Sequence, residues 1–306
     1  METRIAYIPH AEIDKAKWDA LLDASPMGLV YAYTGFLDAM SPGWEALVAG
    51  DYEYVMPLTR RKKMGIAYLC QPAFCQQLGV FGHKPPSAPV MEAFLRKMVQ
   101  NFRLIEIYLN EANFTESVAA THTNFVLALG KPYPTLKAGY RKDLVKNLAR
   151  AQKFNFSYLA TNHVKSAIGH YKSLYGNKLG YGRGDFAALE NVCEKWMDEG
   201  KCLVREVYLD DANRHELMAI GLFLKDHKRI YNIASSTLPN GRTLEANHYL
   251  FDRLIEEFSG QNLLLDFEGS DLPGVSRFYQ KFSPENRPYF FWKSNRLPRA
   301  LRWLKQ

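Results

Sequence analysis

Two acids, Asp266 and Glu268, follow the apolar run Leu263, Leu264 and Leu265. A run of that kind reads as a short strand buried on both faces, so the carboxylates stand where it ends. Gly269, Ser270 and Asp271 permit a sharp turn. Pro273 suits the first position of a helix, and Val275, Phe278, Tyr279 and Phe282 continue it at helical spacing. Acids between a buried strand end and a helix start are a common way to build a site in an α/β protein. There they can accept a proton from a nucleophile or hold a cation. The same residues also serve in an ordinary strand-to-helix joint as turn or capping carboxylates, and Ser270 can orient a substrate or simply cap the next helix.

A second constellation is basic. Lys142, Lys146 and Arg150 recur every four residues and share a helix face, with Arg141 before it and Lys153 near it. Such a stripe suits a pyrophosphate, an RNA backbone or a lipid-linked pyrophosphate, although most charge runs are solvated faces. The loop Gly180-Tyr181-Gly182-Arg183-Gly184 has no clear strand before it and so differs from a phosphate loop. It reads as a cover over a substrate cleft, offering Tyr181 and Arg183 with Tyr175 and Asn177, or as a plain linker. The eight histidines show no H-E-x-x-H or His-x-His spacing, so no metal is expected. The four cysteines show no C-x-x-C pair; free thiols in a reducing cytoplasm are the simple reading.

The elements that must position these residues follow from pattern and length. The 306 residues, 47% hydrophobic and 23% charged, suggest a globular chain of two domains at about 150 residues each. No apolar run reaches the ~18 residues of a membrane span, and the N-terminus has no signal-like apolar region, so a cytoplasmic location is expected. Lys and Arg total 39 against 32 acids, a net charge of +7, which favours an anionic partner of unspecified kind. Residues 5–8 read as a strand, 14–22 and 35–40 as helices, 44–49, 54–59 and 66–69 as strands, 89–102 as a helix and 104–109 as a strand. The second half repeats this order: strand 155–159, helix 163–174, a helix from 185 to Gly200, strands 202–209, 217–224 and 229–235, a helix between Thr243 and Gly260, then 263–265. A duplicated α+β unit explains this order. Gly130, Pro132 and Pro134 mark the join, giving domains 1–135 and 136–293, with a basic helix over 138–153 bridging them. The tail, 294–306, is basic and amphipathic; it can touch an anionic membrane or return to the first domain.

This order resembles the GNAT (acyl-CoA N-acyltransferase) fold, and its duplication implies an α+β (mixed α/β) protein of two tandem GNAT-like domains. At residue level the chain resembles the Fem-type branch of that superfamily. The residues are Lys146-Asn147-Leu148-Ala149-Arg150 running to Lys153, Asp266-Phe267-Glu268-Gly269-Ser270, and Gln71-Pro72-Ala73-Phe74-Cys75-Gln76-Gln77-Leu78-Gly79. Phe278-Tyr279-Gln280-Lys281-Phe282 is similar to the late aromatic helix of GNAT domains, with Ser283 where a glycine is usual.

The resemblance implies a bacterial-type enzyme moving an acyl or aminoacyl group to an amine, with acyl-CoA or aminoacyl-tRNA as co-substrate. Such chemistry needs a neutral amine, donors for the oxyanion and a proton for the leaving group. The resemblance makes Tyr279 the candidate acid; its alternative is a packing tyrosine. Asp266 and Glu268 become candidates to take the amine's proton, Lys146, Arg150, Lys153, Lys281, Tyr181, Arg183 and Ser270 substrate contacts, and Asn240, Gly241 and Arg242 cofactor contacts. Two departures matter. Residues 237–243 hold one glycine where CoA-binding loops carry several, and Phe278-Tyr279 stands where tRNA-dependent members carry Phe-Lys. The expectation is an N-acyltransferase using a thioester donor. Its alternatives are an aminoacyl-tRNA-dependent enzyme acting on a peptidoglycan precursor and a non-catalytic RNA- or lipid-binding module. The partners expected are a small or lipid-linked amine, with tRNA or a membrane surface as options, and no DNA.

Overall fold

The computed structural model describes residues 4–211, 214–269 and 271–298. The chain begins with β1 (Ile5–Ile8), α1 (Lys15–Ala24), α2 (Thr34–Met40), β2 (Glu45–Ala49), β3 (Tyr54–Leu58), β4 (Arg60–Lys63), β5 (Ile66–Cys70), β6 (Phe81–Gly82), α3 (Ala88–Asn101), β7 (Leu104–Leu109) and β8 (Ala120–His122). It continues with β9 (Phe125–Ala128), α4 (Tyr133–Ala138), α5 (Lys142–Ala151), β10 (Phe156–Thr161), α6 (Val164–Leu179), α7 (Arg183–Asp198), β11 (Cys202–Asp211), β12 (Arg214–Lys225), β13 (Arg229–Thr237), α8 (Pro239–Thr243), α9 (Ala246–Phe258), β14 (Leu264–Asp266), α10 (Pro273–Gln280), β15 (Glu285–Asn286) and β16 (Tyr289–Asn295).

The described residues form two compact units, one of residues 4–122 with 288–298 and one of residues 123–287. The first holds two sheets, in the orders β1-β2-β3-β6 and β4-β5-β7-β16-β8. Met91, Phe94, Leu95 and Met98 fall on one face of α3, as a helix covering a sheet requires. They pack with Leu47, Met56, Ile105, Leu109, Phe290 and Trp292.

The second unit is a seven-stranded sheet in the order β10-β11-β12-β13-β14-β9-β15. Strands β10 to β13 form an antiparallel meander. Helix α9 presents Phe251, Leu254, Ile255 and Phe258 to Phe223, Ile230, Leu265 and Phe267; full burial of side chains of this size contributes about 1.5–3 kcal/mol each. β13 and β14 run parallel for three residue pairs, Arg229 with Leu264, Ile230 with Leu265 and Tyr231 with Asp266. No helix among the described residues is long and apolar enough to cross a membrane.

Two expectations differ from this architecture. Residues 138–153 are not one helix: α4 ends at Ala138, and Arg141 is extended, with ψ 149°. Tyr140, in the break, is buried against the Phe282 ring at 5.5 Å, and Arg141 N–H donates to Lys281 O. Sequence order also puts residues 125–129 in the first half and 289–292 in the second. The sheets have the reverse, since β9 lies between β14 and β15 while β16 lies between β7 and β8. An antiparallel neighbour can come from any part of a chain, so element order does not reveal it. Past β16, Arg296 N–H donates to Arg103 O and Leu297 is buried; residues 299–306 of the expected amphipathic tail lie outside the described residues.

Candidate active site

The site begins where the parallel ladder stops. β14 ends at Asp266, while β13 runs on to Thr237. A bulge against β12 skips Ile233, which re-aims the residues that follow and lets Ser235 Oγ donate to Asn232 Oδ1. The amide Nδ2 of Asn232 donates to Tyr279 OH at 3.0 Å and reaches Phe267 O at 3.5 Å. A side-chain amide therefore stands where the next rungs of the ladder would be.

The two acids have different surroundings. Asp266 is 1% exposed. Its Oδ2 accepts from Arg229 Nη1 at 2.8 Å and Asn124 Nδ2 at 3.2 Å, and its Oδ1 accepts from Glu268 N–H at 2.9 Å. Both oxygens are committed, as a buried ion pair requires. Glu268 is held at φ +61°, a left-handed conformation costing an ordinary residue about 1–2 kcal/mol. Gly269 next to it has φ +33°, and a Cβ there would lie 2.0 Å from Thr123 O. The turn thus needs that glycine, and it aims Glu268 away from the strand. Among the described residues Glu268 Oε1 is buried without a hydrogen-bond partner, and burial holds this carboxyl well above the usual carboxylate range.

Tyr279, on α10, completes the group. Its ring lies 5.0 Å from that of Phe267. Burial, followed by the nearby Tyr171 and Glu268, pushes its phenol above the ordinary value, so the hydroxyl stays protonated. Tyr171 and Tyr175, one turn apart on α6, have ring centroids 5.2 Å apart. The Tyr171 phenol is pushed up to about 12 by burial and then by Tyr181 and Tyr175. Asn232 and Tyr171 are additions to the residues expected from sequence. The i, i+4 pair of tyrosines was a visible signal; the bulge that aims Asn232 was not.

The basic residues lie elsewhere in the same unit. Arg150 pairs with Glu245 and donates to Asn147 Oδ1 at 2.7 Å. Glu245 Oε2 is 2.8 Å from His248 Nδ1. His248 Nε2 is 3.3 Å from both Asn147 Nδ2 and Lys281 Nζ, and Lys281 also meets Asp143 at 3.3 Å. Burial and then the Lys281 cation pull His248 down to about 4, which keeps its Nε2 an acceptor. Arg150 and Lys281 are therefore joined in one network across α5, α9 and α10. Lys146 and Lys153 are exposed.

Of the loop residues, Asn240 Nδ2 donates to Glu216 Oε1 at 2.7 Å. Gly241 packs so closely that a Cβ would lie 2.1 Å from Met218 O. Arg242 Nε donates to Thr237 O at 3.3 Å. Asn240 and Gly241 thus lay α8 against β12, while Arg242 is exposed. Tyr181 and Arg183 line an open groove of about 450 Å³ with Lys172, Ser173, Asn177 and Phe186, between α6 and α7. Ser270 lies outside the described residues. Among the described residues no three His, Cys, Asp or Glu side chains are grouped to hold a metal ion.

No family model matches the chain, and no curated protein matches it in sequence. Solved structures do. The crystal structure of FemX covers 96% of this chain and 99% of its own, at 12% identity and a TM-score of 0.68. A conserved protein of unknown function from Bacteroides thetaiotaomicron covers 93% and 99%, at 10% identity and 0.59. A GCN5-related N-acetyltransferase from Sphaerobacter thermophilus covers 96% of each, at 11% identity and 0.52. At such identities the likeness is one of fold: over nearly its whole length, this chain has the Fem-type, tandem GNAT-like fold.

Proposed function

We propose that the protein is an N-acyltransferase whose chemistry takes place in the second unit, with Glu268 as the base and Tyr279 as the acid. The observation that carries this reading is Glu268 itself, a buried carboxyl with an unpartnered oxygen, held at positive φ beside the end of the β13–β14 ladder. Nothing in ordinary packing favours that arrangement, and strain of this kind gathers at functional sites.

An acceptor amine arrives as an ammonium and meets Glu268 among Tyr171, Tyr175 and Tyr279. Its raised pKa makes the ionised Glu268 carboxylate a stronger base than an ordinary one, and it takes one proton. The neutral nitrogen attacks the acyl carbonyl, forming the C–N bond and a tetrahedral oxyanion. Backbone of β13 beyond Tyr231, free of the β14 ladder, offers donors to that oxygen and an edge for an extended, amide-bearing donor arm. As the bond to sulfur breaks, Tyr279, kept protonated and oriented by Asn232, gives its proton to the leaving thiolate. The nitrogen's second proton returns Tyr279 to its phenol form. Asp266 holds the turn through Glu268 N–H and Arg229 and positions the base without touching substrate. Arg242 is the loop's exposed cation for the donor's phosphates, and Arg183 and Lys172 flank the acceptor's approach.

The test is a thermal-shift screen of the whole protein against acyl-CoAs of graded length and a charged tRNA pool. A donor at ~100 times its dissociation constant adds about 2.7 kcal/mol of stability. Stabilisation by an acyl-CoA, followed by thiol release with an amine that Glu268→Gln abolishes, is the expected result. Stabilisation by charged tRNA alone changes the donor class; no stabilisation by either overturns the reading.

A further inference from the structure

β4 and β5 form a hairpin at the edge of the first unit's five-stranded sheet, paired Arg60 with Leu69, Arg61 with Tyr68, Lys62 with Ala67 and Lys63 with Ile66. Residues 60–69 hold four cations and no acid. All four cations are exposed, and Arg60 reaches Glu45 at 3.0 Å. Charges on an edge strand have a bland purpose, since they discourage pairing with other chains.

The turn does not share that explanation. It consists of Met64 and Gly65, both in the left-handed region at φ 49° and 80°. Two-residue turns of this shape favour Asn, Asp and Gly. Met64 satisfies no turn preference, and it is 71% exposed, so it satisfies no packing requirement either. An apolar side chain has been placed where both backbone and solvent disfavour it. Cross-strand pairing puts Arg61, Lys63, Ile66 and Tyr68 on one face, and Ile66 and Tyr68 there are only half-buried. Met64 projects at the tip, and behind it Lys63 lies level with Ile66 and Arg61 level with Tyr68, so an apolar point is backed by side chains whose long stems let their cations reach anionic headgroups while the aliphatic and aromatic residues sit at the interface.

We propose that this hairpin docks the protein on an anionic lipid surface, with Met64 entering the acyl region and Arg61, Lys62 and Lys63 lying among the headgroups. An RNA backbone would satisfy the cations and leave Met64 without a use. The inference is independent of acyl transfer in the second unit.

The experiment is co-sedimentation of the full-length protein with vesicles of phosphatidylglycerol and phosphatidylcholine in about equal parts, against phosphatidylcholine alone. Binding is expected to the anionic vesicles only, and to weaken with salt. Each basic residue at such a surface is worth about fivefold in partitioning, so Lys62→Gln with Lys63→Gln lowers it about 25-fold. Met64→Asn suits the turn better than the native residue, so thermal unfolding is preserved, and it lowers partitioning about tenfold or more. No binding to anionic vesicles, or full binding by Met64→Asn, overturns the proposal. So does a lysine-dependent association with a tRNA pool that the vesicles do not reproduce, which would make the hairpin a nucleic-acid surface.

Discussion

Each unit contains a parallel strand pair that comes to an end, and the space beyond is treated differently in the two. β5 and β7 run parallel through Leu69–Ile105 and Cys70–Glu106. Beyond them the chain completes the ladder with its own backbone. Leu78 bridges to Leu109, its N–H donating to Tyr108 O at 2.8 Å, and Asn110 N–H donates to Leu78 O at 2.8 Å. Asn113 Oδ1 accepts from Val80 N–H at 2.5 Å, and Gln71 Oε1 accepts from Tyr108 N–H at 3.2 Å. Beyond β13 and β14 stand instead Asn232, Tyr279 and Glu268. One unit satisfies the buried polar groups at this joint internally. In the other, a Glu268 carboxyl oxygen has no partner among the described residues. The same joint is thus closed by the chain's own backbone in one unit and left open in the other, where the proposed chemistry is placed.

That contrast is most easily broken at Glu268. Glu268→Gln is expected to lower kcat by about 10²–10⁴ in a steady-state assay with whichever donor the thermal screen selects, and near-native turnover would mean the open joint is not catalytic. The same substitution should raise stability at neutral pH. The folded-state pKa of Glu268 is raised, so its favourable contribution is full below the ordinary carboxylate value and is lost as pH rises through the elevated one. Denaturant melts of both proteins across that range should therefore diverge with increasing pH, the wild type becoming the weaker.

In the first unit the effects should fall on stability alone. Gly79 has φ +111°, and a Cβ there would lie 2.2 Å from Asn113 Oδ1, an atom already fixed by Val80. Gly79→Ala should cost about 2–4 kcal/mol in urea unfolding and leave kcat unchanged. Tyr279→Phe should keep the fold and slow turnover by about 10–100-fold, with the greatest loss for donors whose leaving group is most basic; an equal loss for all donors would make the hydroxyl a positioning group. The effect at His248 appears only in acid. Its folded pKa lies near 4, below the ordinary 6.5, so the unfolded chain takes up a proton first as pH falls. Stability should drop by about 3 kcal/mol between pH ~6.5 and ~4, and His248→Asn should flatten that slope.

Periodicity revealed which faces are apolar and said little about what meets them. The spacing of Leu250, Phe251, Leu254, Ile255 and Phe258 announced α9, and the run at 263–265 announced β14. Residues 72–82, which complete the first joint, carry no helix or strand periodicity, because their order comes from backbone bonds to a strand some thirty residues on. The two acids looked alike in sequence. What separates them is Arg229, which neutralises Asp266 from 37 positions away, and the positive φ of Glu268; neither leaves a mark in local pattern. The fold was legible because a duplicated order of elements survives errors at their ends. The exchange of β9 and β16 was not, since it leaves that order intact.

That exchange bears on how the protein is made. β16 contributes Phe290 and Trp292 to the first unit's core and pairs with β7 along Leu104–Leu109, yet it emerges from the ribosome after the whole second unit. Residues 123–287 are contiguous and can close their sheet while β16 is still being translated. The customary N-terminal-first order of co-translational folding is therefore reversed at its last step. Until β16 arrives, the nascent first half displays an unpaired β7 edge beside an apolar layer that still lacks Phe290 and Trp292.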